Sequence, residues 1–437
     1  MRIAIIGGGY VGLVSGACFA EFGSEVRIVE TDLAKLTAIR TGKLPIYEPG
    51  LDKLVAENAA AGRLTFGDDL VKALNQVEAV FIAVGTPSRR GDGHADLSYV
   101  YAAAEQVASS LSDYAVIVTK STVPVGTGRR IAEIVRCVRP DLDFDVASNP
   151  EFLREGAAIS DFMRPDRVVI GTESDRARLI LSRLYRPLYL IEAPIVFTTI
   201  ETAELIKYAS NAFLAMKVTF VNEMADLCEK VGADVHDVAR GIGLDGRIGR
   251  KFLHPGPGYG GSCFPKDTLA LVRTAQEYGA PTRLIETVVA VNEARKASMA
   301  SRIITACGGS VRGKTVGVLG LTFKPETDDM RDAPSLPVIS RLVEAGAKVR
   351  AFDPQGMEQA APLLPAAVLY CEDALDAANG ADALVVMTEW NAFRALDPER
   401  LKSAMEGRTI IDLRNIYDPR SMREAGFSYY GLGRGAS

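Results

Sequence analysis

The chain has 437 residues, an apolar content of 48% and a formal net charge of −5. This length predicts two or three domains with their own cores, and the mixed charges exclude a basic footprint for nucleic acid or an anionic membrane. The opening stretch lacks the pattern of a cleaved leader, and no stretch reaches the roughly 18 apolar residues of a membrane span. We therefore expect a cytoplasmic protein with no nucleic-acid and no membrane partner.

The cysteines and histidines favour neither disulfides nor a metal site. The six cysteines (residues 18, 137, 228, 263, 307 and 371) show no CxxC spacing, which is typical of reduced thiols in the cytosol. The three histidines (residues 94, 236 and 254) lie far apart, which argues against a His-rich metal site and against a Ser/His/Asp triad. No metal is expected.

The first 200 residues predict one α/β domain. A short apolar strand at Arg2–Ile6 leads through a glycine turn into a helix from Val11 to Phe22, and Glu25–Glu30 predicts a second strand. Further buried strands are predicted in the apolar runs "AVFIAV" (79–84), "AVIVTKST" (115–122) and "DFDVASNPEF" (143–152). Strands that alternate with helical segments indicate a doubly wound parallel sheet.

The rest of the chain predicts a helical region and then a second sheet. Residues 201–306 lose the strand signals and include about 30 residues of helical spacing without a breaker. Strand patterns return in "GKTVGVLGLTFK", "KVRAFDP", "ALVVMT" and "TIIDLR", with a helix from Pro334. The predicted fold class is α/β: two Rossmann-like doubly wound domains, at 1–200 and 307–437, joined by a long central helix and a helical middle domain.

A dinucleotide-binding fingerprint follows the first strand. Gly7, Gly9 and Gly12 form G-x-G-x-x-G in "GGGYVG", and Glu30 ends the next strand about 20 residues later. The glycines would give a tight turn, a close approach to pyrophosphate and close helix packing. Glu30 would accept from the adenosine ribose and favour NAD over NADP, a preference that Lys35 weakens. The alternative is a glycine turn without a ligand.

The second predicted sheet lacks the fingerprint, because "GVLGLTFK" contains only Gly317 and Gly320. Lys324 and Arg331 are cations near a strand end, where open α/β sheets bind ligands. They are either solvated surface groups or contacts to a second nucleotide-sized ligand.

Cys263 lies in the glycine-rich stretch "GYGGSCFPKD", where Lys266 could help to hold a thiolate. The motif alone fits a catalytic cysteine or a structural turn. A hydride acceptor beside a thiol suggests oxidation of an aldehyde through a thiohemiacetal and a thioester. Lys207 and Asn211, four residues apart on a predicted helix, could stabilise the oxyanion, although an ordinary amphipathic face explains them equally well.

These motifs together resemble the nucleotide-sugar 6-dehydrogenases of the UDP-glucose/GDP-mannose dehydrogenase family. The resemblance covers nearly the whole chain through "GGGYVG", "VGTPS", "KSTVPVGT", "SNPEFLREG", "ELIKYASNAF", "DGRIGRKFLHPGPGYGGSCFPKD", "GLTFKPETDDMRD" and "IIDLRN". It implies oxidation of UDP-glucose to UDP-glucuronate with reduction of two NAD, in a homodimer formed through the long helix.

The resemblance also implies roles for individual residues. Cys263 is similar to the nucleophile, Lys207 and Asn211 to the oxyanion-stabilising pair, and Asp267, Glu151 and Thr122 to groups that serve proton transfer and thioester hydrolysis. The implied cofactor contacts are Gly7, Gly9, Tyr10, Val11, Gly12, Glu30, Lys35, Thr86, Glu155 and Arg331. The implied contacts to the UDP-sugar are Phe152, Leu153, Arg154, Arg247, His254, Gly256, Tyr259, Gly260, Phe323, Lys324 and Arg414, with Arg247 able to reach a neighbouring subunit.

Three alternatives remain beside UDP-glucose oxidation. GDP-mannose 6-dehydrogenase shares the same machinery, although "DGRIG" and "FLHPGPGYGG" favour the UDP-glucose branch. A two-electron dehydrogenase would leave Cys263 as a structural residue, and a nucleotide-sugar sensor would bind without turnover. The number of NADH molecules formed per sugar nucleotide separates these alternatives.

Overall fold

The computed structural model describes residues 1–89 and 93–434. The strands are β1 (Arg2–Ile6), β2 (Glu25–Val29), β3 (Leu64–Gly67), β4 (Ala79–Ile82), β5 (Ala115–Thr119), β6 (Phe144–Ser148), β7 (Val168–Gly171), β8 (Ile195–Thr198), β9 (Thr315–Leu319), β10 (Lys348–Phe352), β11 (Leu369–Tyr370), β12 (Ala383–Val386), β13 (Thr409–Asp412) and β14 (Ser428–Gly431).

The helices alternate with the strands at both ends of the chain and dominate its middle. They are α1 (Tyr10–Glu21), α2 (Leu33–Arg40), α3 (Leu51–Ala60), α4 (Leu70–Leu74), α5 (Ser98–Ser110), α6 (Thr127–Val138), α7 (Ala158–Met163), α8 (Asp175–Leu184), α9 (Ile200–Val231), α10 (Val235–Gly243), α11 (Phe264–Glu277), α12 (Arg283–Ala306), α13 (Ser335–Glu344), α14 (Met357–Ala360), α15 (Ala374–Ala378), α16 (Asn391–Arg394), α17 (Pro398–Ala404) and α18 (Pro419–Glu424). A 3₁₀ helix spans Arg186–Ile191.

The first sheet has the strand order β3-β2-β1-β4-β5-β6-β7-β8. Strands β1 to β6 are parallel, and the order reverses between β1 and β4, which is the switch point of a doubly wound sheet. Both faces are buried: Ile3 and Ile5 of β1 join one hydrophobic cluster, and Ala4 and Ile6 join another. This burial explains why the strands are continuous apolar runs.

The first sheet differs from the parallel prediction at one edge. Strand β7 runs antiparallel to β6, with Ser148 opposite Gly171, and β8 then continues parallel to β7. Strands β3, β7 and β8 were not predicted, because short runs beside polar residues lack a clear strand period.

The second sheet has the order β11-β10-β9-β12-β13-β14, and all its strands are parallel. Its switch point lies between β9 and β12, and Val316 and Leu384 belong to separate clusters on its two faces. The predicted fold class is therefore confirmed. The missing third glycine of the fingerprint did not prevent the same topology, since strand pairing depends on the apolar runs.

Contact density divides the chain into two compact units. The first comprises Met1–Ser210 and Leu269–Pro281, and the second comprises Asn211–Thr268 and Thr282–Ser437. Helix α9 is 32 residues long, as its unbroken spacing predicts, and its sequence passes from the first unit into the second. The domain division at residues 200 and 306 stays a prediction. Within the described residues, no helix is long and apolar enough to cross a membrane.

Candidate functional site

The three fingerprint glycines of the first unit differ in what surrounds them. Gly7 has φ +109°, and a Cβ there would lie 2.7 Å from the Ala83 carbonyl oxygen. A Cβ on Gly12 would overlap the Gly7 carbonyl oxygen. A Cβ on Gly9, at the start of α1, would meet nothing within 4 Å. The turn is thus tight at Gly7, packed at Gly12 and open at Gly9, where a dinucleotide pyrophosphate would approach the backbone.

Glu30 follows β2 and faces this turn. Its Oε2 accepts from the Gly8 amide at 3.1 Å and from the Lys35 ammonium at 2.8 Å, and its Oε1 accepts from the Asp32 amide at 3.0 Å. Burial raises the pKa of Glu30, but the hydrogen bonds from Lys35 and Asp32 outweigh it and hold the pKa below its ordinary value. An ionised Glu30 after β2 is a suitable acceptor for the ribose hydroxyls of NAD. Lys35 is held in an ion pair with it.

Glu48 lies beside the cofactor turn, although no sequence motif pointed to it. It is 5% exposed; its Oε1 accepts from the Ala158 amide, and its Oε2 accepts from the Gly156 amide and from the Tyr10 hydroxyl. Glu48 therefore ties the cofactor turn to the "SNPEFLREG" segment. No local pattern could reveal this role, since the partners lie 38 and 108 residues away along the chain.

The pKa of Tyr10 is affected by several carboxylates around this turn. Burial raises its pKa, and the hydrogen bond to Glu48 and the negative charges of Glu48, Glu155 and Glu151 raise it further. The predicted cofactor contacts Tyr10 and Glu155 therefore lie in one acidic surrounding with Glu151. Val11 follows Tyr10 in the first turn of α1 and is half-buried.

Glu151 and Lys207 form a buried ion pair in the first unit. The Lys207 Nζ lies 3.2 Å from the Glu151 Oε1, and the two side chains are 7% and 4% exposed for the glutamate and the lysine. The Phe152 ring lies near two cations, with its centroid 5.3 Å from the Lys207 Nζ and 3.6 Å from the Arg167 Cζ. A lysine in this position can donate to an oxyanion while it retains a carboxylate partner. The structure thus brings together two residues that lie 56 positions apart.

The loops after β4 and β5 are joined by Thr86. Its hydroxyl donates to the Thr122 carbonyl oxygen at 3.0 Å. Two predicted residues, one for the cofactor and one for proton transfer, therefore lie at neighbouring strand ends. This is where an open α/β sheet places its ligands.

Cys263 lies in the second unit, immediately before α11. The first helical hydrogen bond runs from the Asp267 amide to the Cys263 carbonyl oxygen at 2.8 Å, so the thiol precedes a helix N-terminus, where the helix dipole favours negative charge. Its Sγ lies 3.4 Å from the Ser262 hydroxyl. Cys263 is partly exposed, whereas Cys18, Cys228, Cys307 and Cys371 are buried and Cys137 is exposed.

Asp267 connects the cysteine turn to α9. It is 1% exposed; its Oδ2 accepts from the Asn211 amide nitrogen at 2.6 Å, and its Oδ1 accepts from the Lys266 ammonium at 2.7 Å. Lys266, which the sequence suggests as a partner of the thiolate, is thus paired with this carboxylate. Lys207 and Asn211 are one turn apart on α9, so helix geometry places them on one side of it.

Two glycines before Cys263 are closely packed. A Cβ on Gly261, which has φ +81°, would lie 2.6 Å from the Phe323 ring, and a Cβ on Gly260 would overlap the Asp332 carbonyl oxygen. The close approach is thus to residues of the same unit. Asn292 of α12 holds the loop through Tyr259, accepting from its amide at 2.8 Å and donating to its carbonyl at 3.1 Å.

Arg414 lies against two other segments predicted to bind the UDP-sugar and against the end of β12. It donates to the Phe323 carbonyl oxygen at 3.0 Å and to the Met387 carbonyl oxygen at 2.8 Å. A Cβ on Gly256 would lie 2.8 Å from its Nη1. The Lys324 ammonium lies 5.3 Å from the centre of the Phe323 ring. These residues follow β9, β12 and β13, where the Arg414 guanidinium also pairs with Glu389 at 3.1 Å.

The remaining predicted binding residues lie nearer the surface. Three arginines hold aspartates: Arg154 with Asp161, Arg247 with Asp245, and Arg331 with Asp329. His254 is exposed, and Leu153 is half-buried. Among the described residues, no group of three or more His, Cys, Asp or Glu side chains could hold a metal ion.

The fold and the site define a nucleotide-binding oxidoreductase. One doubly wound sheet carries a G-x-G-x-x-G turn with an ionised glutamate beside it, a thiol precedes a helix N-terminus, and a second such sheet carries Lys324 and Arg414 after its strands.

Similarity to known proteins identifies the family within this class. The profiles of the UDP-glucose/GDP-mannose dehydrogenase family match residues 1–189 (NAD binding domain), 201–294 (central domain) and 317–419 (UDP binding domain). The UDP-glucose 6-dehydrogenase of Rhizobium meliloti is 61% identical over 99% of this chain and 100% of its own length.

Solved structures agree with this assignment. A UDP-glucose dehydrogenase from Pyrobaculum islandicum is 39% identical with a TM-score of 0.91, over 100% of this chain and 98% of its own. A UDP-D-ManNAc dehydrogenase from Pyrococcus horikoshii is 29% identical with a TM-score of 0.86, over 100% of both chains. The chain belongs to the UDP-glucose/GDP-mannose dehydrogenase family, and NAD is its cofactor.

Proposed function

We propose that the chain oxidises UDP-glucose to UDP-glucuronate and reduces two NAD per substrate. The observation that carries the proposal is the 61% identity over the full length to a protein named UDP-glucose 6-dehydrogenase. The site supports it, because four-electron oxidation of an alcohol through a thioester needs a thiol, an oxyanion donor and groups that move protons.

The first unit would hold the cofactor. NAD, when bound, supplies the hydride acceptor for each of the two oxidations. Gly7, Gly9 and Gly12 would place the backbone against its pyrophosphate, and Glu30 would accept from its adenosine ribose.

Cys263 is the proposed nucleophile. Its sulfur adds to the C6 aldehyde and gives a thiohemiacetal, whose loss of hydride leaves a thioester. The oxygen of the water then bonds to the thioester carbon and the C–S bond breaks, which releases the carboxylate and the thiol. Lys207 and Asn211 donate to the oxygen that becomes negative in these steps, while Asp267, Glu151 and Thr122 serve proton transfer.

The UDP-sugar would contact the second unit. Lys324 and Arg414 supply positive charge at the strand ends of a UDP binding domain, and both contact Phe323, one at its ring and the other at its carbonyl oxygen. The loop from His254 to Gly260 and Arg247 are further proposed contacts from this unit. Cationic groups suit a diphosphate, since charge-assisted hydrogen bonds are the stronger ones.

The proposed homodimer uses α9. Phe213, Phe220 and Leu227 recur every seven residues and are 57%, 46% and 51% exposed. A heptad stripe of exposed apolar side chains is typical of a helix seam that a second helix covers. The proposed location remains the cytoplasm, supported by the free cysteines.

The test is the stoichiometry and the substrate preference. We expect two NADH per UDP-glucose and slower or no turnover with UDP-galactose, GDP-mannose or UDP-N-acetylmannosamine, followed by NADH absorbance. One NADH per sugar would indicate a two-electron dehydrogenase, none would indicate a sensor, and a preference for GDP-mannose would transfer the assignment to that branch.

A further inference from the structure

Lys120 is a buried lysine that opens the "KSTVPVGT" segment directly after β5. It is 4% exposed, and its Nζ donates to the Asn149 Oδ1 at 3.0 Å and to the Tyr185 hydroxyl oxygen at 3.2 Å. The Tyr185 hydroxyl in turn donates to the same Asn149 oxygen at 2.5 Å. Both of these hydrogen-bonding partners are neutral, so burial disfavours the charged form of the amine.

Lys120 shares a small cavity with Glu151. The cavity has a volume of about 40 Å³, and its lining includes Lys120, Asn149, Glu151, Phe162 and Tyr185. A water molecule needs roughly 10–15 Å³ of such space and two to four polar partners. The amine, the amide and the carboxylate supply those partners, so water can connect Lys120 with Glu151.

Several charged or titratable groups surround the amine. They are Glu151 from the loop after β6, Asp161 from α7, Arg167 from the loop before β7, Tyr185 directly after α8 and Lys207 from α9. The pKa of Lys120 is lowered to about 7: burial is the largest cause, the charge of Glu151 opposes it, and the charge of Lys207 adds to it. The amine can therefore be neutral at a physiological pH, which an exposed lysine cannot.

We propose that Lys120 accepts, through water in this cavity, the proton that Glu151 takes from the hydrolytic water during thioester hydrolysis. This inference rests on the proposed function. One proton of the attacking water passes through Glu151 to neutral Lys120, and the other ends on the departing Cys263 sulfur, so the products are a carboxylate, a thiol and a charged lysine. Lys120 is thus a positioning residue that acts through Glu151 and does not touch the substrate.

The reason for such an acceptor is that Glu151 neighbours two lysines. Its Oε1 lies 3.2 Å from the Lys207 Nζ and its side chain lines the same cavity as Lys120, so a proton that the carboxylate takes up has a second group to pass to. A neutral amine behind it removes the proton and restores the carboxylate for the next turnover. Lys207 would then provide a positive charge beside Glu151, and Lys120 would accept its proton.

The test compares Lys120→Met with Lys120→Arg under rapid mixing with NAD and UDP-glucose. Both variants should release two NADH per site at a rate near that of the parent, since both hydride transfers precede hydrolysis. Hydrolysis should then slow by roughly a hundredfold, the lower end of what acid–base assistance contributes, and a covalent UDP-sugar adduct should accumulate in intact-protein mass spectra.

The arginine variant is the matched control for a structural cation. Arginine keeps the charge and the hydrogen-bond donors but stays protonated, so it should fail as methionine does. An arginine variant that hydrolyses the thioester at the parent rate would overturn the proposal, as would a methionine variant without adduct.

Tyr185→Phe provides an independent measurement that retains Lys120. Loss of the hydroxyl partner leaves the charged form of Lys120 less stabilised and lowers its pKa. The pH range over which the hydrolysis rate rises should therefore lie lower in this variant than in the parent. An unchanged pH range contradicts the proposal, even where the Lys120 variants do not fold. Fewer than two NADH per sugar in the parent would instead refute the proposed function.

Discussion

At the scale of single residues, the position of Cys263 explains why a thiol lies in a glycine turn. The turn needs Gly260 and Gly261 because Asp332 and Phe323 of the same unit approach it, and it delivers the sulfur to the start of α11. A helix N-terminus favours the thiolate, which is the nucleophilic form.

Cys263→Ser should arrest turnover without loss of binding. The first oxidation of the alcohol needs no thiol, while an ester on a serine hydroxyl hydrolyses far more slowly than a thioester. Rapid mixing with NAD and UDP-glucose should give at most a small NADH burst. Mass spectra of this variant should show the sugar retained as a covalent adduct on the peptide that contains position 263.

Cys263→Ala is the control for this experiment, because it can form no adduct. Calorimetry should give parent-like affinities for both ligands in the two variants. Sustained formation of two NADH per sugar by either variant would assign Cys263 a structural role.

Glu30→Ala should weaken NAD binding by roughly ten- to a hundredfold, the value of a charge-assisted hydrogen bond of about 1.5–3 kcal/mol. The substitution should also reduce the preference for NAD over NADP. Without the ion pair to Glu30, Lys35 becomes available to bind the 2′-phosphate of NADP. The measurement is kcat/KM with each cofactor. In the Glu30→Ala background, Lys35→Ala should reduce the NADP activity again; an unchanged cofactor ratio would exclude Glu30 from this role.

At the scale of elements, helix α9 would combine the two tasks proposed for it. It carries Lys207 and Asn211 four residues apart, and farther along it presents the exposed stripe of Phe213, Phe220 and Leu227. Since one helix would carry both, a subunit interface on the stripe would also restrain the helix that holds the oxyanion donors.

Phe220→Glu should therefore dissociate the proposed homodimer. A carboxylate in the middle of an apolar seam loses its hydration without a partner and costs several kcal/mol, which raises the dissociation constant on the order of a hundredfold or more. Sedimentation velocity over a range of concentrations measures the change. Leu190→Glu is the control, because Leu190 is 88% exposed on the 3₁₀ helix and lies outside the stripe; equal dissociation in both variants would remove α9 from the interface.

At the scale of the whole molecule, the two units provide separate sheets with separate cores. The clusters around β1 belong to the first unit, and those around β9 belong to the second. The family profiles place NAD binding on the first sheet and UDP binding on the second. Glu30, after a strand of the first sheet, and Lys324, after a strand of the second sheet, should therefore affect the binding of different ligands.

Lys324→Ala should raise the dissociation constant of UDP by roughly ten- to a hundredfold and leave that of NAD within about twofold, because it removes one charge-assisted contact from the UDP side. Glu30→Ala should show the reverse pattern. Isothermal titration with UDP and NAD separately measures both. Equal UDP affinity in the parent and the Lys324→Ala variant would contradict the assignment.

Much of this architecture follows from the sequence alone. Buried parallel strands require unbroken apolar runs, G-x-G-x-x-G after a strand requires a tight turn, and 32 residues without a breaker favour a long helix, so β1, α1 and α9 could be predicted locally. The order of so many motifs also indicated the family before any contact was known.

Only the tertiary structure decided which of those residues meet. Glu151 and Lys207 are 56 positions apart, as are Asn211 and Asp267, and Glu48 reaches partners 38 and 108 positions away. The antiparallel turn to β7 and the burial of Lys120 were equally hidden. Periodicity and spacing report local backbone conformation, whereas hydrogen bonds, ion pairs and pKa shifts depend on distances that exist only once the chain has folded.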